Sequence, residues 1–92
     1  LLKKHIKKDT YDHLELLGSY LAELESWDLD SLKNILQQTV DELSIGFGKL
    51  GLPLRLALTA SVNSPSIDRV CELLGREVTL RRLEKFLELT KN

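Results

Sequence analysis

Leucines recur every three or four residues in the first half of this sequence, which is the spacing of a helix that buries one face. The first run predicts a helix over residues 10–25, and the second predicts another helix that begins shortly after Trp27. The two apolar stripes consist of Leu14, Leu17, Leu21 and Leu24, and then of Leu29, Leu32, Ile35, Leu36, Val40 and Leu43. The pattern favours a helical fold, with Trp27 packed at the junction of two helices.

Short polar residues predict where these two helices begin. Asp9 or Thr10 can accept hydrogen bonds from the exposed amides of the first helix, and Asp28 or Asp30 can do so for the second. Gly18 lies inside the first apolar stripe, where glycine lowers helix stability. Two interpretations of Gly18 stay open, a close crossing by another helix or a tolerated imperfection in this one.

The middle of the chain is less regular. Gly46, Gly48 and Gly51 interrupt the helical spacing and predict a loop. The leucines at positions 52, 54, 56 and 58 then alternate with other residues as in a strand. A strand needs a partner, and the sequence contains no second alternating run, so it predicts a short helix that begins near Pro53 instead.

The last third of the chain contains two further helix signals. Ser64 is a predicted N-cap, Pro65 a predicted first helical residue, and Gly75 a predicted left-handed cap that ends this helix. A final helix is predicted to begin at Thr79. The two apolar stripes consist of Ile67, Val70, Cys71 and Leu74, and then of Leu80, Leu83, Phe86 and Leu87. The sequence thus predicts an all-α fold, a compact bundle of about five helices.

Composition limits the size and the setting of this fold. The chain has 92 residues, of which 42% are hydrophobic and 29% are charged, and this suits one domain over residues 1–92. The longest uncharged run, residues 56–67, is too short and too polar for a membrane span. Cys71 is the single cysteine and can form no intrachain disulfide, so we expect a reducing, cytoplasmic setting. Because the sequence opens on Leu1, we expect it to be part of a longer chain.

Charge is distributed unevenly along the chain. Residues 1–8 contain four lysines and no acid, residues 9–45 contain nine acids and one lysine, and residues 46–92 contain eight bases and five acids. All five arginines lie in the last segment: Arg55, Arg69, Arg76, Arg81 and Arg82. Two interpretations stay open on this pattern, a face that binds nucleic acid or a helical surface whose charges are solvated.

Few residues could carry catalysis. Cys71 lies on the apolar stripe of its helix, which indicates a buried thiol rather than a nucleophile. His5, Asp9 and His13 are spaced four residues apart and could line a metal site on an uninterrupted helix, although Asp9 is also a natural cap. The sequence contains no phosphate-binding loop, dinucleotide fingerprint or CxxC pair, so it supports no active site of its own.

Several motifs in the second half resemble those of a known family. The run GFGKLGLPLRLALT at residues 46–59 is followed by Ser64-Pro65, by LLGR at 73–76 and by RRL at 81–83. This arrangement resembles the C-terminal end of bacterial-type glutamyl-tRNA synthetases, in which a G-K-x-x-x-P-L-R-x-A-L/V-T-G run precedes a Ser/Thr-Pro helix start. The resemblance is close over residues 46–83, about half of the chain. Ala60 departs from it, since the family usually has glycine there.

The resemblance implies both a fold and a function. It implies the all-α anticodon-binding end domain of a class I aminoacyl-tRNA synthetase, which recognises the anticodon loop of tRNA(Glu). The catalytic domain, in which glutamate is activated with ATP and Mg²⁺ and transferred to tRNA, would lie outside this chain. The chain itself would then hold no cofactor or metal, perform no catalysis and contact no membrane.

The same resemblance implies particular RNA-binding residues. Arg55 occupies the position of the arginine in the family's PLR motif and is implied to contact an anticodon base. Ser64 and Ile67 occupy positions that are implied to read or pack against another base. Weaker candidates are Thr59, Arg69, Arg76 and Arg82. For Ile67 two alternatives stay open, a base contact and a core position.

A second function for the whole chain also stays open. In this alternative the chain is a helical protein-interaction module with no RNA role. The acidic helices between residues 10 and 44 would dock a basic partner, and the arginines would be solvated.

Overall fold

Four α-helices account for most of the residues that the computed structural model describes, which are 7–59 and 65–90. In chain order they are α1 (Lys8–Ala22), α2 (Leu29–Leu43), α3 (Phe47–Thr59) and α4 (Ile67–Thr90). These described residues contain no strand, so the all-α prediction is confirmed, whereas the predicted count of five helices is wrong. Within the same residues, no helix is long and apolar enough to cross a membrane.

The difference in helix count arises at Gly75, in the middle of α4. Helical backbone resumes directly after Gly75, so the predicted helix start at Thr79 is wrong, and Thr79 lies buried within α4. Gly75 has φ 84° and ψ 164°, a backbone conformation that almost only glycine adopts. Because this φ and ψ are not helical, Gly75 ends one helical segment, as the predicted glycine cap requires. A second segment begins directly after it without a loop, and the two segments form one kinked element, α4.

α3 begins earlier than the sequence predicts. Its first residue is Phe47, so Gly48 and Gly51 are helical rather than part of a loop. Gly51 is buried, and a Cβ atom added there would lie 3.0 Å from the Phe47 ring. The missing side chain therefore lets the Phe47 ring pack over the next turn of its own helix.

The predicted helix start near Pro53 is also wrong. Pro53 lies inside α3, where its nitrogen has no hydrogen to donate to the Lys49 carbonyl one turn earlier. The helical spacing beyond Pro53 is nevertheless the predicted one, because Leu54 and Leu58 are both fully buried.

Of the predicted helix caps, the one at the start of α2 is confirmed. The Asp28 carboxylate accepts a hydrogen bond from the Ser31 amide at 2.8 Å and caps α2, as one of the two alternatives predicts. α1 begins instead after Lys7, whose side chain makes no capping bond, so the predicted cap at Asp9 or Thr10 is wrong. Asp9 lies in the first turn of α1, where a carboxylate favours the positive end of the helix dipole.

α4 begins two residues after Pro65, so the prediction of Pro65 as the first helical residue is wrong. The Ser66 carbonyl accepts a hydrogen bond from the Val70 amide at 3.0 Å, and Ile67 is the first helical residue. The predicted N-cap, Ser64, lies outside the described residues.

All four helices contribute to one hydrophobic core. Its buried members are Leu14, Leu17, Leu21, Leu32, Leu36, Val40, Leu50, Leu54, Leu58, Ile67, Val70, Cys71, Leu83 and Phe86. α1 and α4 cross closely at Gly18, where an added Cβ atom would lie 3.3 Å from Cδ2 of Leu83. Of the two interpretations of Gly18, this contact favours the close helix crossing.

Trp27 connects the loop after α1 to the kink in α4. Its indole Nε1 donates a hydrogen bond to the Cys71 carbonyl at 2.8 Å, one helical turn before Gly75. The Thr79 hydroxyl lies 3.5 Å from the same carbonyl. The Arg76 guanidinium lies 5.3 Å from the centre of the indole ring, a distance suited to a cation–π contact. The predicted packing of Trp27 at a helix junction is thus confirmed.

Candidate nucleic-acid interface

Arg55 bridges the end of α3 and the start of α4. Its Nη1 donates a hydrogen bond to the Pro65 carbonyl at 2.6 Å. On the next turn of α3, the Thr59 hydroxyl donates to the backbone carbonyl of Arg55 at 3.0 Å. Both side chains are partly exposed, and the bond to Pro65 holds the guanidinium beside the chain that enters α4.

Arg82 reaches the same end of α3 from the second half of α4. Its Nη1 donates to the Leu58 carbonyl at 2.7 Å. Carbonyls in the last turn of a helix have no partner within the helix, and a cation there also suits the negative end of the helix dipole. The structure therefore brings together Arg55, Thr59 and Arg82, three of the predicted binding residues, at the junction of α3 and α4.

Ile67, another predicted binding residue, belongs to the core. It is 2% exposed and packs among the other buried apolar side chains. Of its two alternatives, this burial favours the core position. Ser64, the predicted hydroxyl contact, lies outside the described residues.

Arg76 makes its contacts within the protein. Its Nη1 donates to the Ala22 carbonyl at 3.2 Å, and its Nη2 donates to the Leu24 carbonyl at 2.6 Å. Together with the contact to the Trp27 ring, these bonds tie the C-terminal end of α1 to the kink in α4. The geometry gives Arg76 a structural role rather than a place beside Arg55.

Arg69 lies on the exposed surface near the start of α4. Its Nη1 is 3.4 Å from a carboxylate oxygen of Glu72, three residues further along the helix. A solvent-exposed ion pair of this kind contributes at most about 1 kcal/mol to stability. Arg69 is therefore accessible to an RNA partner, but no contact joins it to Arg55 or Arg82 in the described residues.

Lys85, which the sequence does not single out as a binding residue, lies beside Arg81 and Arg82 on the exposed side of α4. The sequence signal is the spacing of Arg81 and Lys85, four residues apart, which places two cations on one helix face. The same spacing is common in helices whose charges are merely solvated, so it does not by itself identify a binding surface.

Cys71, the one candidate nucleophile in the sequence, is buried in α4. Burial raises the pKa of the Cys71 thiol to about 12, with a smaller contribution from Asp68, so the thiol stays protonated at neutral pH and is a poor nucleophile. His5 lies outside the described residues, while Asp9 and His13 lie on α1. Among the residues that the structure describes, no group of three potential ligands could hold a metal ion.

These observations define a small helical domain with arginines gathered where two helices meet. A family model described as an anticodon binding domain matches residues 1–87, and the chain belongs to that family. The fold is also similar to that of a glutamate tRNA ligase from Elizabethkingia meningosepticum, solved in complex with its amino acid. The TM-score is 0.83 at 24% sequence identity, and the match covers 89% of this chain and 16% of that one. The chain thus corresponds to a small part of that ligase.

Proposed function

We propose that this chain is the anticodon-binding part of a glutamate–tRNA ligase and that it binds the anticodon loop of tRNA(Glu). The observation that carries this proposal is the convergence of Arg55, Thr59 and Arg82 at one helix junction, in a chain that belongs to a family of anticodon-binding domains. The glutamate–tRNA ligase with a similar fold supports the amino acid specificity. The alternative of a protein-interaction module is not favoured by either comparison.

Arg55 is the residue that we propose reads a base. Anticodon bases are single-stranded, so their edges are accessible to side chains, and a planar guanidinium can pair with such an edge in a defined orientation. The Pro65 carbonyl positions the Arg55 guanidinium before RNA binds. This reduces the entropy lost when the contact forms.

The neighbouring residues would support that contact. The Thr59 hydroxyl and the guanidinium of Arg82 both bond to backbone carbonyls of α3 and so fix the end of the helix that carries Arg55. Arg82 also adds positive charge, which attracts RNA phosphates. We keep Ser64 as a proposed hydroxyl contact, and we assign Ile67 the role of anchoring the start of α4 in the core.

In this proposal the chain selects tRNA and the chemistry takes place elsewhere in the ligase. Glutamate, ATP and Mg²⁺ would bind to a catalytic domain, and this chain would contribute no group to the reacting atoms. The buried, protonated thiol of Cys71 fits the reducing cytoplasm, where we propose that the enzyme works.

Binding measurements with two tRNAs test this function. The full-length protein is titrated at one fixed salt concentration with tRNA(Glu) and with the same tRNA carrying an altered anticodon. We expect the altered tRNA to bind more weakly by about 1–3 kcal/mol for each base that is read. A tRNA with an exchanged base pair in the anticodon stem is the matched control. Equal affinity for the cognate and altered anticodons would contradict the proposal.

A further inference from the structure

A second basic surface lies beside the helix junction, in a groove between α3 and the C-terminal half of α4. The groove has a volume of about 410 Å³ and is lined by Ala57, Arg81, Arg82, Lys85, Phe86 and Leu89. Its lining contains three cations and no carboxylate, although the chain as a whole has a net charge of −1. The groove therefore concentrates positive charge where the sequence average does not show it.

Two of these cations are not used in holding the fold together. Arg81 and Lys85 are both exposed, and neither belongs to an ion pair within the described part of the chain. Three acids lie within four residues of them in sequence. Glu84 and Glu88 line a different groove between α1 and α4, whose rim Arg81 and Lys85 also form, and Glu77 lines neither of these two grooves. Arg82 differs, because its bond to the Leu58 carbonyl fixes it at one end of the groove.

The groove also offers an apolar surface. The Phe86 ring is largely buried, whereas Leu89 is 55% exposed. Arg81, Lys85 and Leu89 follow one another at intervals of four residues, so they lie on one face of α4, about 6 Å apart along its axis. Two cations followed by an exposed apolar side chain suit a single nucleic-acid strand, whose phosphates need positive charge and whose sugars and bases present apolar faces.

The position of the groove suggests which strand would occupy it. Arg82 lines the groove and also bonds to the last turn of α3, the helix that carries Arg55, so the groove lies next to the helix junction. We propose that Arg81 and Lys85 bind backbone phosphates of the RNA strand next to the anticodon, and that Leu89, one turn beyond Lys85, covers an adjacent sugar or base. This inference rests on the proposed anticodon function, because it takes its ligand from that function.

Such contacts would increase affinity without reading sequence. Phosphate contacts position an RNA on its protein, while contacts to base edges decide which RNA is bound. Substitution of Arg81 and Lys85 should therefore weaken the binding of every tRNA to a similar extent. Substitution of Arg55 should weaken the binding of the cognate tRNA more than that of other tRNAs. The two surfaces can be separated by experiment on this basis.

The test is the salt dependence of tRNA binding by the full-length protein. In the double variant Arg81→Gln/Lys85→Gln, the slope of log affinity against log salt concentration should decrease in magnitude by about 1.4, or about 0.7 for each lost phosphate contact. Between about 50 and about 200 mM salt, the affinity of the variant should therefore fall about sevenfold less than that of the wild type. The control variant, Lys33→Gln/Lys49→Gln, removes the same charge from exposed positions outside the groove.

The outcomes separate this inference from the proposed function. A reduced slope in the groove variant, with the control variant like the wild type, supports the groove. An unchanged slope, or equal reductions in both variants, contradicts phosphate binding in the groove, even if the wild type discriminates between anticodons. A reduced slope in a protein that does not discriminate between anticodons supports the groove and contradicts the anticodon function. Absence of tRNA binding in the wild type overturns both.

Discussion

The kink in α4 depends on Gly75, and the substitution Gly75→Ala should destabilise the chain by about 1–3 kcal/mol. The φ of 84° and ψ of 164° at this residue are strongly unfavourable for any residue with a Cβ atom. A Cβ atom at Gly75 would meet no other atom within 4 Å, so the expected loss comes from backbone strain alone and not from a steric clash. Straightening the helix to relieve this strain would displace the Trp27 and Arg76 contacts that flank the kink.

Urea unfolding followed by circular dichroism measures this effect. For a domain of this size, each kcal/mol of lost stability also lowers the melting temperature by about 4–8 °C. The matched control is Gly48→Ala, because Gly48 is helical and an alanine Cβ there also meets no atom within 4 Å. This control should be neutral or gain up to about 1 kcal/mol. A Gly75→Ala variant as stable as the wild type would refute the argument that the kink requires glycine.

Two further substitutions test the core and the buried thiol. Ile67→Ala should cost about 2–5 kcal/mol of unfolding free energy, and it should leave tRNA affinity unchanged at temperatures where the variant is folded, because Ile67 is a core residue. A selective loss of tRNA binding with an unchanged melting curve would instead indicate a base contact. Burial raises the pKa of the Cys71 thiol from 9.0 in the unfolded chain to about 12 in the folded state. The free energy of unfolding is therefore unaffected by this thiol below pH 9 and decreases as the pH rises from 9 toward 12. Between about pH 7 and about pH 10.5, the free energy of unfolding of the wild type should decrease by about 2 kcal/mol more than that of Cys71→Ala. The same dependence of unfolding free energy on pH in both proteins would contradict this.

Helical spacing in the sequence was sufficient to predict α1 and α2. α1 buries a stripe of leucines, and α2 buries Leu32 and Leu36 together with Thr39 and Val40. Packing of such a face against the rest of the chain provides most of the stability of a helix, and its spacing is visible in the sequence. The sequence predicts too short an α3 because Gly48, Gly51 and Pro53 each disfavour a helix. Packing overrides that local preference, since Gly51 accommodates the Phe47 ring and the leucines beyond it fill the core.

The candidate site was predictable only in part, for a similar reason. The motif around Arg55 identified the end of α3 from sequence alone, and the structure adds Arg82 to the same junction. Nothing in one sequence could show that Arg76 bonds to carbonyls at Ala22 and Leu24, more than 50 residues earlier in the chain. A list of arginines therefore does not distinguish those that tie helices together from those that face a ligand.

The base-reading role that we propose for Arg55 is tested by the affinity of the Arg55→Ala protein for tRNA(Glu), measured at one fixed salt concentration. Lys33→Ala, at an exposed position on α2, is the control for the loss of one positive charge, and melting curves of both variants exclude a folding defect. We predict that Arg55→Ala weakens cognate binding by about 1–3 kcal/mol and reduces the discrimination against an altered anticodon, while Lys33→Ala changes neither. A cognate loss below about 1 kcal/mol, with discrimination retained, would contradict a base-reading role for Arg55.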